Sequence, residues 1–241
     1  MSSPLEKHNQ VQIRYFENTY KPRMAPQESP YLRRQVEHAL RFAGLRPSQS
    51  ILEVGCGMGR YTFLLAQLGF AVEGQDLTAK LLEHFRDFDG GRFNIPLHCG
   101  DIAFPPDALQ GRFDAILGFF VLHHMHDLEA CFRGMRRTLR PGGMVLFVEP
   151  NPYNPLYYAQ MLLTPGMTWE GDKGMFQMKR KRIFSAMELA GLTEPQCERF
   201  GFLPPFLINL RGGSHAETVL EKCLPPLLRP FQIFAAKRPL E

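Results

Sequence analysis

Ile51-Leu52-Glu53-Val54-Gly55-Cys56-Gly57-Met58-Gly59-Arg60 runs from a short apolar segment into three glycines at alternating positions. ILEV reads as a buried strand, and Tyr61–Leu68 beyond the glycines reads as a helix. Glycine permits positive φ and carries no side chain, so this unit presents bare backbone against which a nucleotide-sized molecule can lie. The spacing is G-x-G-x-G. Dinucleotide folds use G-x-G-x-x-G, where a pyrophosphate sits at the helix N-terminus. That difference opposes a nicotinamide oxidoreductase. Glu53, two residues upstream of the loop, suits a cationic or zwitterionic ligand better than a diphosphate.

Outward from the loop, β-type runs alternate with helical patterns. Ala71–Gln75 is a second strand, followed by a helix from Thr78 to Phe88 with Leu81, Leu82 and Phe85 on one face. Pro96–Cys99 and Phe113–Phe119 are the third and fourth strands. A helix over Asp127–Leu139, a turn at Pro141-Gly142-Gly143 and a fifth strand, Met144–Val148, complete the series. Short connections of this kind imply βαβ units and an α/β, doubly wound, Rossmann-like parallel sheet. Residues 1–50 read as amphipathic helix, notably Tyr31–Phe42. A Pro-, Tyr- and Met-rich insertion follows Pro150, and Ser185 with Glu188 reads as a capping box for a helix ending at Gly191. Cys197–Phe202 and Gln232–Ala236 are expected to finish the sheet antiparallel, with a short helix at Ala216–Cys223 between them. The expected organisation is one domain: a helical lid over 1–44, a ligand-binding core over 45–150, a substrate cap over 151–182 and completion of the sheet over 183–241.

Two further acids follow the loop. Asp76, at the end of the second strand, is placed to accept both hydroxyls of a ribose. Asp101, in Cys99-Gly100-Asp101-Ile102 after the third strand, is placed for an adenine amino group. So many carboxylates are of no use to a phosphate and suit an adenosine that carries an amino acid.

ILEVGCGMGRYT, the Asp76 segment, CGDI, FDAILGFFVLHHMHD and LRPGGMVLFVEP, in that order, resemble the successive motifs of class I S-adenosylmethionine-dependent methyltransferases. The resemblance is to the broad type 11 small-molecule group, similar to ubiquinone and menaquinone methyltransferases, and covers about residues 45–150. It implies a seven-stranded sheet with a reversed final hairpin and S-adenosyl-L-methionine lying across the strand ends. It places Gly55, Gly57 and Gly59 under the cofactor, Asp76 on the ribose, Asp101 and Ile102 at the adenine, and Gly118 and Phe119 at the methionine end. Glu53, Arg60 and Leu77 are counted with the cofactor set. Gln75 stands where the group commonly has an apolar residue.

Because such a cofactor brings an activated methyl group, the protein chiefly supplies orientation and sometimes a base. The segment Val121-Leu122-His123-His124-Met125-His126-Asp127 lies just past the fourth strand, at the sheet's ligand-binding edge. An imidazole there can take a proton from a phenol, hydroxyl or amine. His124 is the first candidate and His123 the second, against plain packing or helix-capping roles. Three histidines in one turn rarely converge on one ion, so no metal is expected. Glu149-Pro150-Asn151-Pro152-Tyr153 superficially matches the N-P-P-Y motif of methyltransferases acting on nucleic acids. It follows the fifth strand rather than the fourth, so no nucleic-acid partner is expected.

On the substrate side, Tyr15 or Tyr20 in the N-terminal segment is expected to cover the methionine moiety and to hydrogen-bond the substrate or the carboxylate, Tyr15 being counted with the substrate set. The insertion offers Tyr153, Tyr157 and Trp169 among aromatics and methionines that make adaptable walls for flat or hydrophobic ligands. The expected activity is O- or N-methylation of a small aromatic or hydrophobic molecule. The alternatives are a quinone- or lipid-type C-methyltransferase and a non-catalytic cofactor-binding scaffold.

Composition sets the outer bounds. The 241 residues are 44% hydrophobic and 22% charged, which excludes collagen-like, coiled-coil and wholly disordered chains. Five scattered cysteines without a C-x-x-C pair argue for reduced thiols and a cytoplasmic location, and MSSPLEKHNQ has no apolar signal core. The uncharged run from Pro150 to Trp169 contains Pro150, Pro152, Pro155 and Pro165 and cannot form a continuous membrane-spanning helix. The net charge of +4 is unevenly placed. Residues 1–50 carry 8 Lys and Arg against 4 Asp and Glu, residues 51–150 carry 9 against 12, and residues 151–241 carry 11 against 8. The acidic middle coincides with the ligand-binding core. Lys179-Arg180-Lys181-Arg182 is the one true charge run, a solvated face or a contact for an anionic group. With the apolar loop Phe202–Leu210 it also suits peripheral contact with a lipid surface.

Overall fold

The computed structural model describes residues 4–18, 24–155, 173–223 and 225–241. Continuous burial with alternating faces builds its centre. Strand β1 (Ser50–Val54) is buried at every position after the first, as required of a strand with neighbours on both edges and helices on both faces. Ile51 packs on one face with Val72, Leu117 and Leu146, and Leu52 on the other with Ile116, Phe147 and Phe234. β1 pairs in parallel with β2 (Ala71–Asp76) on one side and β4 (Phe113–Phe119) on the other. With β3 (Leu97–Cys99), β5 (Leu139–Pro150), β6 (Thr193–Phe200) and β7 (Phe231–Lys237), the sheet order is β3-β2-β1-β4-β5-β7-β6. β7 runs antiparallel between β5 and β6. The strand order reverses between β1 and β4, and ligands of doubly wound sheets bind at the carboxyl ends beside that switch point.

Helices cover both faces. α1 (Pro4–Asn18) and α2 (Pro30–Ala43) precede the sheet; α3 (Thr62–Gln67), α4 (Ala79–Asp89) and α5 (Leu128–Thr138) follow β1, β2 and β4. α2 starts where Ser29 caps it, accepting the Leu32 N–H at 3.2 Å, and stops at Gly44 in the left-handed region. Between these ends Leu32, Val36, Ala39 and Leu40 are buried, at about 1.5–3 kcal/mol for each large apolar side chain.

Four expectations change. The helix expected from the Ser185–Glu188 box starts instead at Arg180: α6 spans Arg180–Leu189 with Lys179 at its N-cap, so Ser185 is mid-helix. The basic run therefore forms the first turn of α6. β5 continues through Pro141-Gly142-Gly143, because Gly142 donates to the Arg238 carbonyl beyond β7. The apolar loop after β6 contains a short helix, α7 (Pro205–Ile208), and α8 begins earlier than expected, at Gly213–Cys223. Tyr20, Tyr157 and Trp169 lie outside the described residues. No helix among the described residues is long and apolar enough to cross a membrane.

Candidate active site at the carboxyl edge of the sheet

A cavity of about 390 Å³ opens at the ends of β1, β2 and β4, within the size range of small-ligand sites. The glycine loop forms its floor. Gly55 has φ +70°, and a Cβ there would fall 2.3 Å from Val121 Cγ2, so only glycine lets β1 pass this close to the segment after β4. The Gly55 and Cys56 N–H groups donate to the Gln75 carbonyl, and the Gly57 N–H donates to Asp76 Oδ2 at 2.9 Å. Asp76 Oδ1 accepts the Thr78 N–H at 2.8 Å. Asp76 is 8% exposed, and burial pushes its carboxyl pKa upward against those hydrogen bonds.

The cavity wall contains Gly55, Gly57, Arg60, Asp76, Leu77, Asp101, Ile102, Phe119, His123 and His124. Gly59 and Gly118 serve from behind: a Cβ on Gly59 would strike Phe63 and Phe85, and one on Gly118 would strike Phe147. Glu53 is also behind the loop, 1% exposed, and accepts the Thr62 hydroxyl at 2.5 Å. Burial raises its pKa to about 8. It is not part of the wall. Tyr15 stacks edge-on against Phe16, and Phe16 rather than Tyr15 reaches the cavity.

α1 crosses the cavity. His8 Nε2 is 2.9 Å from the His124 carbonyl, Asn9 Nδ2 donates to Asp101 Oδ2 at 2.6 Å, and Lys80 Nζ donates to the Glu17 carbonyl at 2.7 Å. Asp101 Oδ1 meanwhile accepts the Ala103 N–H.

The histidine segment is organised by a residue the sequence reading passed over. Glu149, at the end of β5, is fully buried. Its Oε1 accepts the Val121 and Leu122 N–H groups at 2.8 and 2.7 Å, and its Oε2 lies 2.7 Å from His123 Nδ1. A carboxylate at Nδ1 fixes a tautomer with the proton on Nδ1 and an acceptor lone pair on Nε2. The His124 ring lies tilted against His123, with centres 4.1 Å apart, and meets the edge of Phe16, and His126 stacks on His8. The three rings are thus engaged with different partners. Gly174, in a short 3-10 turn (Lys173–Gln177), closes on the same segment: a Cβ would fall 1.9 Å from the His123 carbonyl oxygen. An acidic residue ending an apolar strand was the visible signal for Glu149; nothing in the sequence marked Gly174.

Tyr153 does not join the cavity. It lies in a separate groove with Arg180, Lys181, Phe184 and Arg199, with the Arg199 guanidinium 5.3 Å from its ring centre. Tyr31 lines the cavity, and its N–H donates to Asn209 Oδ1 in the segment that carries exposed Phe206 and Leu210.

A family model described as a methyltransferase domain matches residues 52–147. A demethylmenaquinone methyltransferase of Tropheryma whipplei (strain Twist) is 32% identical over 171 residues, covering 66% of this chain and 70% of that protein. A ubiquinone biosynthesis O-methyltransferase of Idiomarina loihiensis is 31% identical over 148 residues, covering 61% and 60% respectively. Geranyl diphosphate C-methyltransferase from Streptomyces coelicolor, solved with S-adenosyl-L-homocysteine, shares the fold with a TM-score of 0.65 at 19% identity, covering 98% of this chain and all of that one. The residues here fit such a cofactor: bare backbone at Gly55 and Gly57, strand-end carboxylates at Asp76 and Asp101, and buried donors on Gln35 and Arg60 without partners among the described residues. Glycine loop, strand-end acids, sheet order and sequence similarity converge, and the chain belongs to the class I S-adenosylmethionine-dependent methyltransferases, in the group of the menaquinone and ubiquinone enzymes.

Proposed function

We propose that this enzyme methylates a hydroxyl oxygen on a small aromatic or hydrophobic molecule, with His123 as general base. The observation that carries the reading is the contact between His123 Nδ1 and buried Glu149 at 2.7 Å, with His123 in the cavity wall. S-Adenosylmethionine, when bound, supplies the methyl group on an activated sulfonium. Gly55, Gly57, Arg60, Asp76, Leu77, Asp101, Ile102 and Phe119 would hold it. Glu53, Gly59 and Gly118 shape the loop beneath. His123 Nε2 accepts the acceptor's proton, and Glu149 stabilises the imidazolium that results. Phe16, Tyr31, Phe120 and Phe231 offer aromatic surface to a flat acceptor. α1 acts as the lid that excludes water. This shifts the leading base from His124 to its neighbour, whose ring is the one held by a buried carboxylate.

A second reading, C-methylation of a quinol-type or lipid-like ring, draws support from similarity to the demethylmenaquinone enzyme. It uses the same base, because deprotonating a ring hydroxyl activates the ring carbon. Incubating the protein with a panel of phenols, amines and quinols and methyl-labelled cofactor tests both readings. Label on oxygen supports the first and label on ring carbon the second; label confined to amines contradicts both.

A further inference from the structure

Two buried hydrogen-bond donors in the cavity wall flank one tyrosine. Gln35, on α2, is 3% exposed and lines the cavity. Its Oε1 accepts the Tyr61 hydroxyl at 3.0 Å, while its Nε2 has no partner among the described residues. The Tyr61 ring is clamped by stacking on Phe119, with centres 4.3 Å apart and planes 13° apart. Burial pushes the Tyr61 phenol up to about 12, so its hydroxyl keeps its proton at neutral pH. With Oε1 receiving that proton, the Gln35 amide can offer only N–H groups to a ligand. Arg60 follows the last loop glycine, with its guanidinium 5.6 Å from the Tyr61 ring centre. It too lines the cavity, and its Nε is buried without a partner among the described residues. Buried donors left unpaired are costly, and a ligand acceptor would satisfy both.

Position identifies the acceptor. Asp76 and Asp101 stand at the ends of β2 and β3; Phe119, beneath Tyr61, stands at the end of β4. β3 and β4 are three strand spacings apart in the sheet, roughly 14 Å. An extended nucleoside with an amino-acid tail spans about that length, acids at its adenosine end and donors at its far end. The nearby acidic side chains are already engaged, Glu53 by Thr62 and Asp76 by Gly57 and Thr78.

We infer that Gln35 and Arg60, braced by Tyr61, form the receptor for the α-carboxylate of the cofactor's amino-acid tail. The inference rests on the cofactor's identity and adds a residue from α2, outside the glycine-loop motifs. Gln35 selects a carboxylate by offering donors only, and Arg60 supplies the positive charge.

Calorimetry with two probes tests it: S-adenosylhomocysteine, which has the carboxylate, and 5′-methylthioadenosine, which has the same nucleoside without it. Gln35→Leu should bind S-adenosylhomocysteine roughly 10- to 100-fold more weakly, the range for one charge-assisted hydrogen bond. Its binding of 5′-methylthioadenosine should stay within twofold of the parent, which also shows that the variant is folded. Gln35→Glu should lose more for S-adenosylhomocysteine alone, since it sets carboxylate against carboxylate. Arg60→Met should lose affinity for that ligand alone. Equal losses for both probes would overturn the inference in favour of a packing role. Unchanged affinity for both, with a raised KM for the methyl acceptor, would overturn it in favour of substrate recognition. If the parent protein bound neither probe, the inference and the cofactor assignment would fall together.

Discussion

Replacing Glu149 with Gln changes one atom at the centre of the proposed base and leaves the shape intact. Two backbone donors, from Val121 and Leu122, face Oε1 at 2.8 and 2.7 Å. An amide must keep its oxygen toward them, because its NH₂ would otherwise confront two N–H groups. The NH₂ is then forced onto His123 Nδ1, where Oε2 lies at 2.7 Å in the parent. A donor at that position makes Nδ1 the acceptor and moves the ring proton to Nε2. Nε2 then carries an N–H in place of a lone pair, so the imidazole cannot take a proton there. Loss of a positioned general base costs about 10²–10⁴-fold in turnover. The two backbone bonds fall from charge-assisted to neutral strength, a stability loss of about 2 kcal/mol in total. The assay is single-turnover methyl transfer across pH, beside urea unfolding and S-adenosylhomocysteine calorimetry. The expected Glu149→Gln variant is folded, binds cofactor product normally and turns over slowly throughout the pH range. Turnover within twofold of the parent at normal affinity would refute the tautomer argument.

Gly55→Ala should lower S-adenosylhomocysteine affinity and turnover together, because φ is +70° and the new Cβ would press Val121, whose N–H is held by Glu149. Pairing it with Val121→Ala should recover part of both in calorimetry and rate assays; no recovery would deny the contact. Glu53→Gln should alter the pH dependence of stability in urea melts. Glu53 has a folded pKa of about 8 against the usual 4.5, so the folded state retains a proton that the unfolded chain releases. The parent therefore loses stability as pH rises from about 4.5 to about 8, at about 1.4 kcal/mol per unit for this group. The variant should lack that slope, and an unchanged slope would place the proton elsewhere. Asn9→Asp sets a second carboxylate against Asp101, now bonded at 2.6 Å. Protease cleavage within α1 should become faster; an unchanged rate would show that this bond does not hold the helix.

What the sequence disclosed follows from which interactions are local. The strand–glycine loop–helix unit was legible because β1 is central and buried on both faces, so a continuous apolar run had to precede the glycines. Asp76 and Asp101 were legible because strand ends set their place. Glu149 showed only as an acid ending an apolar strand; its role did not show, since its partners are about 26–28 residues away in sequence and meet it only when β4 and β5 pair. Gln35 was hidden for the same reason: an amide in an amphipathic helix looks like surface until α2 packs on the sheet. The Ser185–Glu188 spacing misled because a cap is defined by what lies before it, and α6 gains a first turn from Lys179–Arg182 that packs Arg180 over Phe184 at 4.9 Å. Glu53 was placed near the ligand by proximity in sequence, but strand alternation turns it behind the loop to Thr62.

If His123 is the base for methyl transfer, product formation depends on its imidazole. Trideuteromethyl-labelled S-adenosylmethionine, incubated with metabolite extracts and either the parent or His123→Asn, tests it most directly by mass spectrometry of the labelled products. Labelled methyl ethers of aromatic or hydrophobic molecules are expected with the parent, and their near-absence with His123→Asn at unchanged S-adenosylhomocysteine affinity. The same products in the same yield from both proteins would contradict it.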